Sequence, residues 1–362
     1  MTAKVSKAIG NLLDPFNVRN ILVVKQHNQL GDMLCTYPMM AALKKKFPAA
    51  KLTLVASHDN NYIINPETDE YVDYLITFDK HSIWKIIEFI KLLFKNTYDI
   101  GIVPSTVSYS QTSHLITFFS NSKVRVGVLE IDGKKNPYSK YLNIADKFEW
   151  EKRKLHQTER MIQIVEQIGC TLSREEISNL ELRLSSEEIN FARNFINDNF
   201  PGKTSPIFAF FCGAGKPPNR WKVENFKQLI LLLQNKFNSQ ILIVIGKSDK
   251  ELTEELFNNV ASVFSEVVKI DRNNIREIAA VLKYCDLFVT NDTGIMHAAA
   301  FVNAPVVGLF GPTKGYEWGP LNKRGAFIQS PTDDINDLKP DFVYNFIINF
   351  LKHKNESSTW SY

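Results

Sequence analysis

Short apolar runs alternate with longer segments of helical periodicity along this sequence. Residues 21–24 form a β-branched apolar run, and residues 31–46 then place apolar side chains at helical spacing until Phe47-Pro48. Residues 52–55 are the next apolar run. A strand, a helix and a second strand with no hairpin signal between them predict a βαβ unit in a parallel sheet.

The same alternation continues to the end of the chain. In the first half the pattern predicts strands at 72–78, 98–103 and 124–128 and helices at 83–94 and 156–169. In the second half it predicts strands at 207–211, 241–245, 266–270, 287–290 and 305–310 and helices at 221–237, 249–261, 275–283 and 341–352. Such regular alternation predicts an α/β protein with two doubly wound domains. We expect an N-terminal domain at 1–185, a C-terminal domain at 186–340 and a final helix and tail at 341–362.

Length and composition agree with two ordinary globular domains. The chain has 362 residues, of which 44% are hydrophobic and 23% charged, and its net charge of +4 is too small to predict a nucleic-acid partner.

Its four cysteines are far apart and form no CxxC pair, which favours buried thiols in a reducing cytosol. Residues 1–10 lack a signal peptide, and no apolar stretch is long enough to span a bilayer. We expect a cytoplasmic protein, with attachment to a membrane surface left open.

The segment Asn291-Asp292-Thr293-Gly294-Ile295-Met296-His297 directly follows a predicted strand. Ligands bind at the carboxyl ends of parallel strands, where the amides and dipole of the next helix attract phosphate. Thr293 adds a hydroxyl donor, Gly294 allows close approach to the backbone, and His297 can donate to an oxyanion. Alternatively, Asn291 or Asp292 caps the helix and His297 is a core histidine.

A second segment, residues 213–215 (Gly-Ala-Gly) followed by Lys216 and Arg220-Trp221, also lies between a predicted strand and a helix. Its amides and one of its basic side chains could meet a diphosphate. The segment lacks the Gly-Lys-Ser/Thr ending of a P-loop and the GxGxxG pattern of a dinucleotide fold. A simple glycine-rich turn is the alternative.

The third segment is Gly31-Asp32 in the N-terminal half. A carboxylate at the carboxyl edge of a first strand is placed where a general base would act. A carboxylate at the start of a helix is equally well explained as an N-terminal cap.

Taken in order, these segments resemble the family 9 glycosyltransferases, the heptosyltransferases of lipopolysaccharide core assembly. The resemblance rests on residues 30–34, 37–38 and 43, 47–52, 124–127, 213–214 with 220–221, 292–294 with 297, and 310–313. It implies a GT-B fold, in which two Rossmann-like domains face each other across a cleft. It also implies an inverting transfer that needs no catalytic metal and no cofactor beyond the donor substrate, ADP-heptose or a related nucleotide sugar.

The family's functional residues carry over onto matching positions of this chain. Asp32 matches the proposed general base. The resemblance places the donor on the C-terminal domain, with Asp292 ordering its loop rather than contacting phosphate and with Ser248 or Asp249 as candidates for the ribose. The other expected donor-binding residues are Gly213, Ala214, Lys216, Arg220, Thr293, Gly294 and His297.

One position departs from the family pattern. Heptosyltransferases usually carry a lysine two residues before the tryptophan of the second segment, where it pairs with the donor phosphates, but here Asn219 stands there. Lys216 or Arg220 then supplies the charge, or donor binding differs.

The acceptor is expected on the N-terminal domain. Residues 123–154 carry more Lys and Arg than Asp and Glu, and Arg125, Lys134 and Lys135 are the candidate contacts to an anionic core oligosaccharide. A solvated loop is the alternative. The helix predicted at 83–94 either rests on an anionic leaflet or packs against the sheet.

The sequence therefore favours transfer of heptose from ADP-heptose to a hydroxyl of the lipopolysaccharide or lipooligosaccharide core, at the cytoplasmic face of the inner membrane. The partners implied are a nucleotide sugar and a lipid-linked core oligosaccharide. Two alternatives stay open: a transferase of the same fold with another donor sugar or acceptor, including a protein, and a GT-B binding module without catalysis.

Overall fold

The computed structural model describes residues 13–26, 29–57, 61–79, 81–202, 205–352 and 360–361. The chain divides into two compact units, Met1–Arg174 and Glu175–Tyr362. Both units are α/β, as predicted. All four cysteines are buried and none is in a disulfide. Within the described residues no helix has both the length and the apolar content needed to cross a bilayer.

The first unit contains a mainly parallel sheet flanked by helices. Its strands are β1 (Asn20–Lys25), β2 (Lys51–Ser57), β3 (Tyr74–Phe78), β4 (Ile100–Ile102), β5 (Val124–Ile131), β6 (Lys134–Lys135) and β7 (Ile144–Phe148). Its helices are α1 (Leu30–Lys46), α2 (Ile83–Leu93), α3 (Gln111–Phe119), α4 (Trp150–Arg153), α5 (Gln157–Glu166) and α6 (Arg174–Ser178), which crosses into the second unit. The strand order is β3-β2-β1-β4-β5-β6, with β7 paired to β5 and β6 antiparallel.

Helix α1 is buried on nearly every side, since residues 32–43 are all buried. Its first turn carries Asp32 and its last turn carries three lysines, an arrangement that complements the helix dipole. The helix packs against α5, where the Thr36 hydroxyl lies 3.9 Å from Met161 Sδ. This packing fixes the position of Asp32 at the carboxyl end of the sheet.

The second unit repeats the architecture. Its strands are β8 (Ile207–Phe211), β9 (Gln240–Ile245), β10 (Val267–Asp271), β11 (Leu287–Asn291), β12 (Val306–Phe310), β13 (Gly325–Gln329) and β14 (Trp360–Ser361). Its helices are α7 (Ser186–Asn199), α8 (Val223–Phe237), α9 (Lys250–Ala261), α10 (Ile275–Leu282), α11 (Gly294–Phe301), α12 (Gly315–Trp318) and α13 (Pro340–Lys352). The sheet is parallel in the order β10-β9-β8-β11-β12-β13-β14.

In both sheets the strand order reverses beside the first strand of the unit. The reversal lies between β1 and β4 in the first unit and between β8 and β11 in the second. This 3-2-1-4-5 order is that of a Rossmann fold, and ligands bind outside the carboxyl ends of the strands at the reversal point. The segments predicted to carry chemistry follow β1, β8 and β11, and so lie at these two points.

The predicted edge between the domains at residues 185 and 186 falls inside the second unit. The Leu182 N–H donates to Phe301 O at 2.6 Å, and Glu188 on α7 forms a 2.6 Å ion pair with Arg276 on α10. The first contact attaches the segment before α7 to helix α11, and the second attaches α7 to helix α10. The final helix α13, predicted as a separate tail, packs against α8 in the same unit.

Candidate active site

In the second unit Asn291 ties the loop after β8 to the loop after β11. Its side chain is fully buried and donates to Cys212 O at 2.8 Å and to Gly213 O at 3.3 Å. Its Oδ1 accepts from the Trp221 N–H at 3.3 Å. Asn291 therefore joins the two predicted donor segments. These contacts are not those of a helix cap, which was the alternative interpretation of Asn291 from the sequence.

Thr293 is the residue that precedes α11 as its N-cap. Its backbone is extended and its side chain makes no capping hydrogen bond to the helix. The hydroxyl lies 3.4 Å from the Thr290 hydroxyl. Because the first amides of a helix have no partner within it, the start of α11 at Gly294 presents N–H groups and a positive dipole to an anion.

The half-buried Asp292 turns away from the start of α11 and toward Asn219. Asn219 Nδ2 lies 3.3 Å from Asp292 Oδ2 and donates to the Thr313 hydroxyl at 2.8 Å. Burial raises the pKa of Asp292 to about 6, and the hydrogen bond from Thr313 and the charge of Lys216 act against this rise. The side-chain amide of the buried Asn219 thus hydrogen-bonds to other side chains of the protein. It occupies the position at which the family has its phosphate-binding lysine.

Arg220 crosses the mouth of the loop after β8. Its Nε donates to Ala214 O at 3.1 Å, and its NH2 forms a 2.8 Å ion pair with Asp249 Oδ1. A side chain on Gly213 would place its Cβ 2.8 Å from Asp249 Oδ2 and 2.6 Å from the Phe211 ring, so only glycine fits. The structure therefore brings Gly213, Ala214, Arg220 and Asp249 together.

The remaining predicted donor residues differ in exposure. Ser248 and Lys216 are exposed, whereas His297 is buried on α11 with its ring 6.4 Å from the Trp318 ring, edge to face. Trp221 is buried and donates through Nε1 to Leu338 O at 2.8 Å, which anchors the second segment to the chain before α13. The role of each of these residues in donor binding stays a prediction.

In the first unit Asp32 is buried and lies beside a buried lysine. Lys25 Nζ is 3.6 Å from Asp32 Oδ1 and donates to Pro104 O at 3.4 Å. Lys25 ends β1 and Pro104 follows β4, so the pair lies at the reversal point of this sheet. Gln29, not Asp32, is the N-cap of α1, and Asp32 sits in the first turn.

The electrostatics of this pair suit proton transfer. Burial lowers the pKa of Lys25, and the charge of Asp32 acts in the opposite direction. Among the described residues Asp32 Oδ1 accepts no hydrogen bond, and Lys25 Nζ is the cation beside it. The sequence reasoning missed Lys25, although a lysine that ends an apolar strand was a readable signal.

The predicted acceptor residues lie at two places in the first unit. Arg125 on β5 is half-buried and donates to Tyr141 O at 2.7 Å and to Ser122 O at 2.8 Å. Lys134 and Lys135 form the short strand β6 and are exposed. Arg125 therefore supports local backbone, and the two lysines present their charge to solvent.

Two doubly wound units whose strand order reverses beside their first strand define an α/β protein of the Rossmann type. Residues 86–342 match glycosyltransferase family 9 (heptosyltransferase). The chain belongs to this family, and it is a glycosyltransferase. The GT-B fold predicted from the sequence is confirmed.

Individual relatives are distant but cover most of the chain. Lipooligosaccharide heptosyltransferase 2 of Haemophilus influenzae is 24% identical over 320 residues, which are 86% of this chain and 88% of the relative. Among solved structures, a family 9 glycosyl transferase from Veillonella parvula has a TM-score of 0.77 at 18% identity, with 92% of this chain and 98% of that chain covered. The E. coli heptosyltransferase WaaC with ADP has a TM-score of 0.70 at 21% identity, with 91% and 99% covered.

Proposed function

We propose that this protein transfers a heptose from ADP-heptose to a hydroxyl of the lipopolysaccharide or lipooligosaccharide core, with inversion and without a catalytic metal. The observation that carries the proposal is the buried Asp32, which lies 3.6 Å from Lys25 Nζ at the reversal point of the first sheet and whose Oδ1 has no hydrogen-bond partner among the described residues. A buried carboxylate at the carboxyl edge of a parallel sheet is placed where a general base can act.

In this mechanism Asp32 takes the proton of the acceptor hydroxyl. The oxygen forms its bond to the anomeric carbon from the face opposite the nucleotide, and the bond between that carbon and the diphosphate breaks. Attack from the opposite face inverts the anomeric configuration. Lys25 does not contact the substrate in this scheme; it stabilises the ionised carboxylate before the transfer.

The departing ADP gains negative charge on its diphosphate. The first amides of α11, the Thr293 hydroxyl and the exposed Lys216 supply positive charge and donors to meet it. Donors that are fixed before the reaction stabilise a developing charge because they need no reorganisation. Asn291 contributes by holding the two loops together, and Asp292 by binding Asn219.

The names of the relatives support the donor and the acceptor. Relatives from Haemophilus influenzae and Salmonella typhimurium are lipooligosaccharide and lipopolysaccharide heptosyltransferases, and a solved relative carries ADP. The exposed Lys134 and Lys135 would meet phosphates or carboxylates of the core. Such an acceptor is lipid-linked, and we propose that the reaction takes place at the cytoplasmic face of the inner membrane.

Asn219 favours a second candidate, a transferase of the same fold with a different nucleotide sugar. The side-chain amide of Asn219 binds Asp292 and Thr313. These contacts replace the lysine–diphosphate contact that is usual in the family. Lys216 is the nearest alternative source of charge, because its charge already acts on Asp292.

A calorimetric screen of ADP, UDP, GDP and ADP-heptose separates the two candidates. Preferred binding of ADP and ADP-heptose is the expected result, and Lys216→Met is expected to weaken it because the variant loses a cation near the diphosphate. Binding of another sugar nucleotide, with none of ADP or ADP-heptose, would exclude the heptose donor. The anomeric configuration of the product, read by NMR, tests inversion.

A further inference from the structure

Helix α2 exposes an apolar stripe. Ile83, Ile87, Ile90 and the following Phe94 are 63%, 38%, 45% and 56% exposed. Their spacing of four, three and four residues places them on one face of the helix. Within α2 only Phe89 and Leu93 are buried, so the stripe is a second apolar face that the described part of the chain leaves uncovered.

The stripe continues into neighbouring apolar surface. Trp84 is 77% exposed beside it, and Phe119 on α3 is 60% exposed. An open groove of about 380 Å³ separates α2 from α3, and apart from the Thr112 side chain the residues that line it are apolar. Contiguous apolar surface of this extent on a folded domain marks an interaction site.

The edge of the stripe is basic. Lys91 and Lys95 lie one helical turn apart and are exposed next to the apolar side chains. Lys85 is exposed as well and forms a 2.9 Å ion pair with Asp79. Glu88 is the acidic residue on this helix. An apolar stripe bordered by lysines is complementary to a surface that is anionic outside and apolar just beneath.

We propose that α2, together with the exposed end of α3, docks the protein onto an anionic phospholipid bilayer. The stripe from Ile83 to Phe94 is about 16 Å long at 1.5 Å per residue, and it would lie in the plane of the interface. Its apolar side chains enter the boundary between headgroups and acyl chains, Trp84 lies at headgroup level, and Lys91 and Lys95 meet lipid phosphates.

A second copy of the chain is a poorer occupant of this face. A two-fold contact pairs the same patch of both copies, so each copy would bring the same basic edge to the interface. Like charges facing each other oppose such an association, whereas a phospholipid surface neutralises them. Attachment to a bilayer through α2 does not depend on which nucleotide sugar the enzyme uses.

Vesicle flotation of the full chain tests the proposal. The wild type is expected to float with vesicles of phosphatidylethanolamine and phosphatidylglycerol and to bind phosphatidylcholine vesicles less tightly. The double variant Ile87→Asp/Ile90→Asp is expected to bind the anionic vesicles at least about a hundredfold more weakly, because two apolar side chains that would enter the bilayer become charged. Phe342→Asp, at a phenylalanine that is 54% exposed in the second unit, is the matched control and is expected to bind as the wild type does.

Trp84 gives a second readout. Its emission is expected to shift to shorter wavelength when anionic vesicles are added, while the buried Trp150 and Trp221 report no change. Trp84→Phe is expected to keep vesicle binding and lose the spectral shift. Thermal unfolding followed by circular dichroism shows whether each variant is folded.

Three results would overturn the proposal. The wild type could remain unbound with every vesicle, or the folded Ile87→Asp/Ile90→Asp variant could bind as tightly as the wild type. Sedimentation could also show a wild-type dimer that this variant dissociates, which would assign the face to a second copy.

Discussion

Replacing Lys25 with methionine removes the positive charge beside Asp32 with little change in side-chain volume. The two charged atoms are 3.6 Å apart and both side chains are buried. At an effective dielectric constant of ~20 a charge pair at this distance is worth about 4 kcal/mol, and each 1.4 kcal/mol changes an ionisation equilibrium about tenfold. The charge of Lys25 favours the ionised carboxylate, so its loss favours the protonated form. We therefore expect Lys25→Met to slow transfer most at low pH.

The assay is the rate of ADP release from ADP-heptose and acceptor from about pH 6 to about pH 9. Lys25→Met is expected to be slow at neutral pH and to recover as the pH rises, with KM for the donor unchanged. Removing one partner of a buried ion pair costs about 3–5 kcal/mol of stability, so the rates are measured at low temperature on protein shown to be folded.

Lys44→Met is the matched control. Lys44 forms a 2.8 Å ion pair with Asp73 in the same unit, and both side chains are half-buried. This variant is expected to lose stability and keep the pH profile of the wild type. The reasoning is refuted if Lys25→Met lowers the rate by the same factor at every pH, because Lys25 would then be only structural.

Three further variants test the second unit. Burial raises the pKa of Asp292 to about 6, so the ionised form destabilises the fold above that pH. Asp292→Asn should therefore raise the free energy of unfolding in urea by about 1–3 kcal/mol at about pH 8 and leave it unchanged below about pH 4. Thr293→Val should weaken ADP binding about fivefold in calorimetry, because one hydroxyl donor is lost. Trp221→Phe leaves Leu338 O without its donor and should cost about 1–3 kcal/mol of stability, measured in urea, with ADP affinity unchanged. The assignment of Asp292 is contradicted if Asp292→Asn and wild type are equally stable at both pH values. The assignment of Thr293 is contradicted if Thr293→Val binds ADP as the wild type does, and that of Trp221 if Trp221→Phe is as stable as the wild type.

The sequence predicted the main elements of both sheets because their strands are short apolar runs separated by amphipathic helices. It missed α7, although Ser185 and Glu188 form a capping box whose spacing was readable. It also missed α3 and β13, whose apolar positions follow no clear period in a single sequence. The domain edge was predicted at residue 185 because long-range contacts such as Leu182 with Phe301 cannot be derived from local pattern.

The candidate site could be predicted only in part. The βα pattern predicted that Asp32 and residues 291–297 come after strands and therefore lie at the ligand-binding edge of a sheet, since parallel strands end at one edge. The hydrogen-bond partners of these residues could not be predicted from the sequence. Asn219 binds Asp292 across 73 positions of the chain, and Asn291 reaches Gly213 across 78, so the packed fold is needed to bring these pairs together.

The exposure of α2 could also not be predicted from the sequence. The pattern at 83–94 favours burial against the sheet and also allows membrane contact, because both require apolar side chains at helical spacing. In the structure Phe89 and Leu93 of this helix are buried while Trp84 is 77% exposed, and contact with a membrane stays a proposal.

Asp32→Asn tests the central claim most directly, because it removes the base and keeps the shape of the side chain. Single-turnover transfer from ADP-heptose and calorimetric binding of ADP are measured on the same preparation. The account predicts that transfer slows by about 10²–10⁴-fold while the ADP affinity stays within about twofold, since the base acts only in the transition state. Transfer at the wild-type rate would contradict the account and remove Asp32 from the base role.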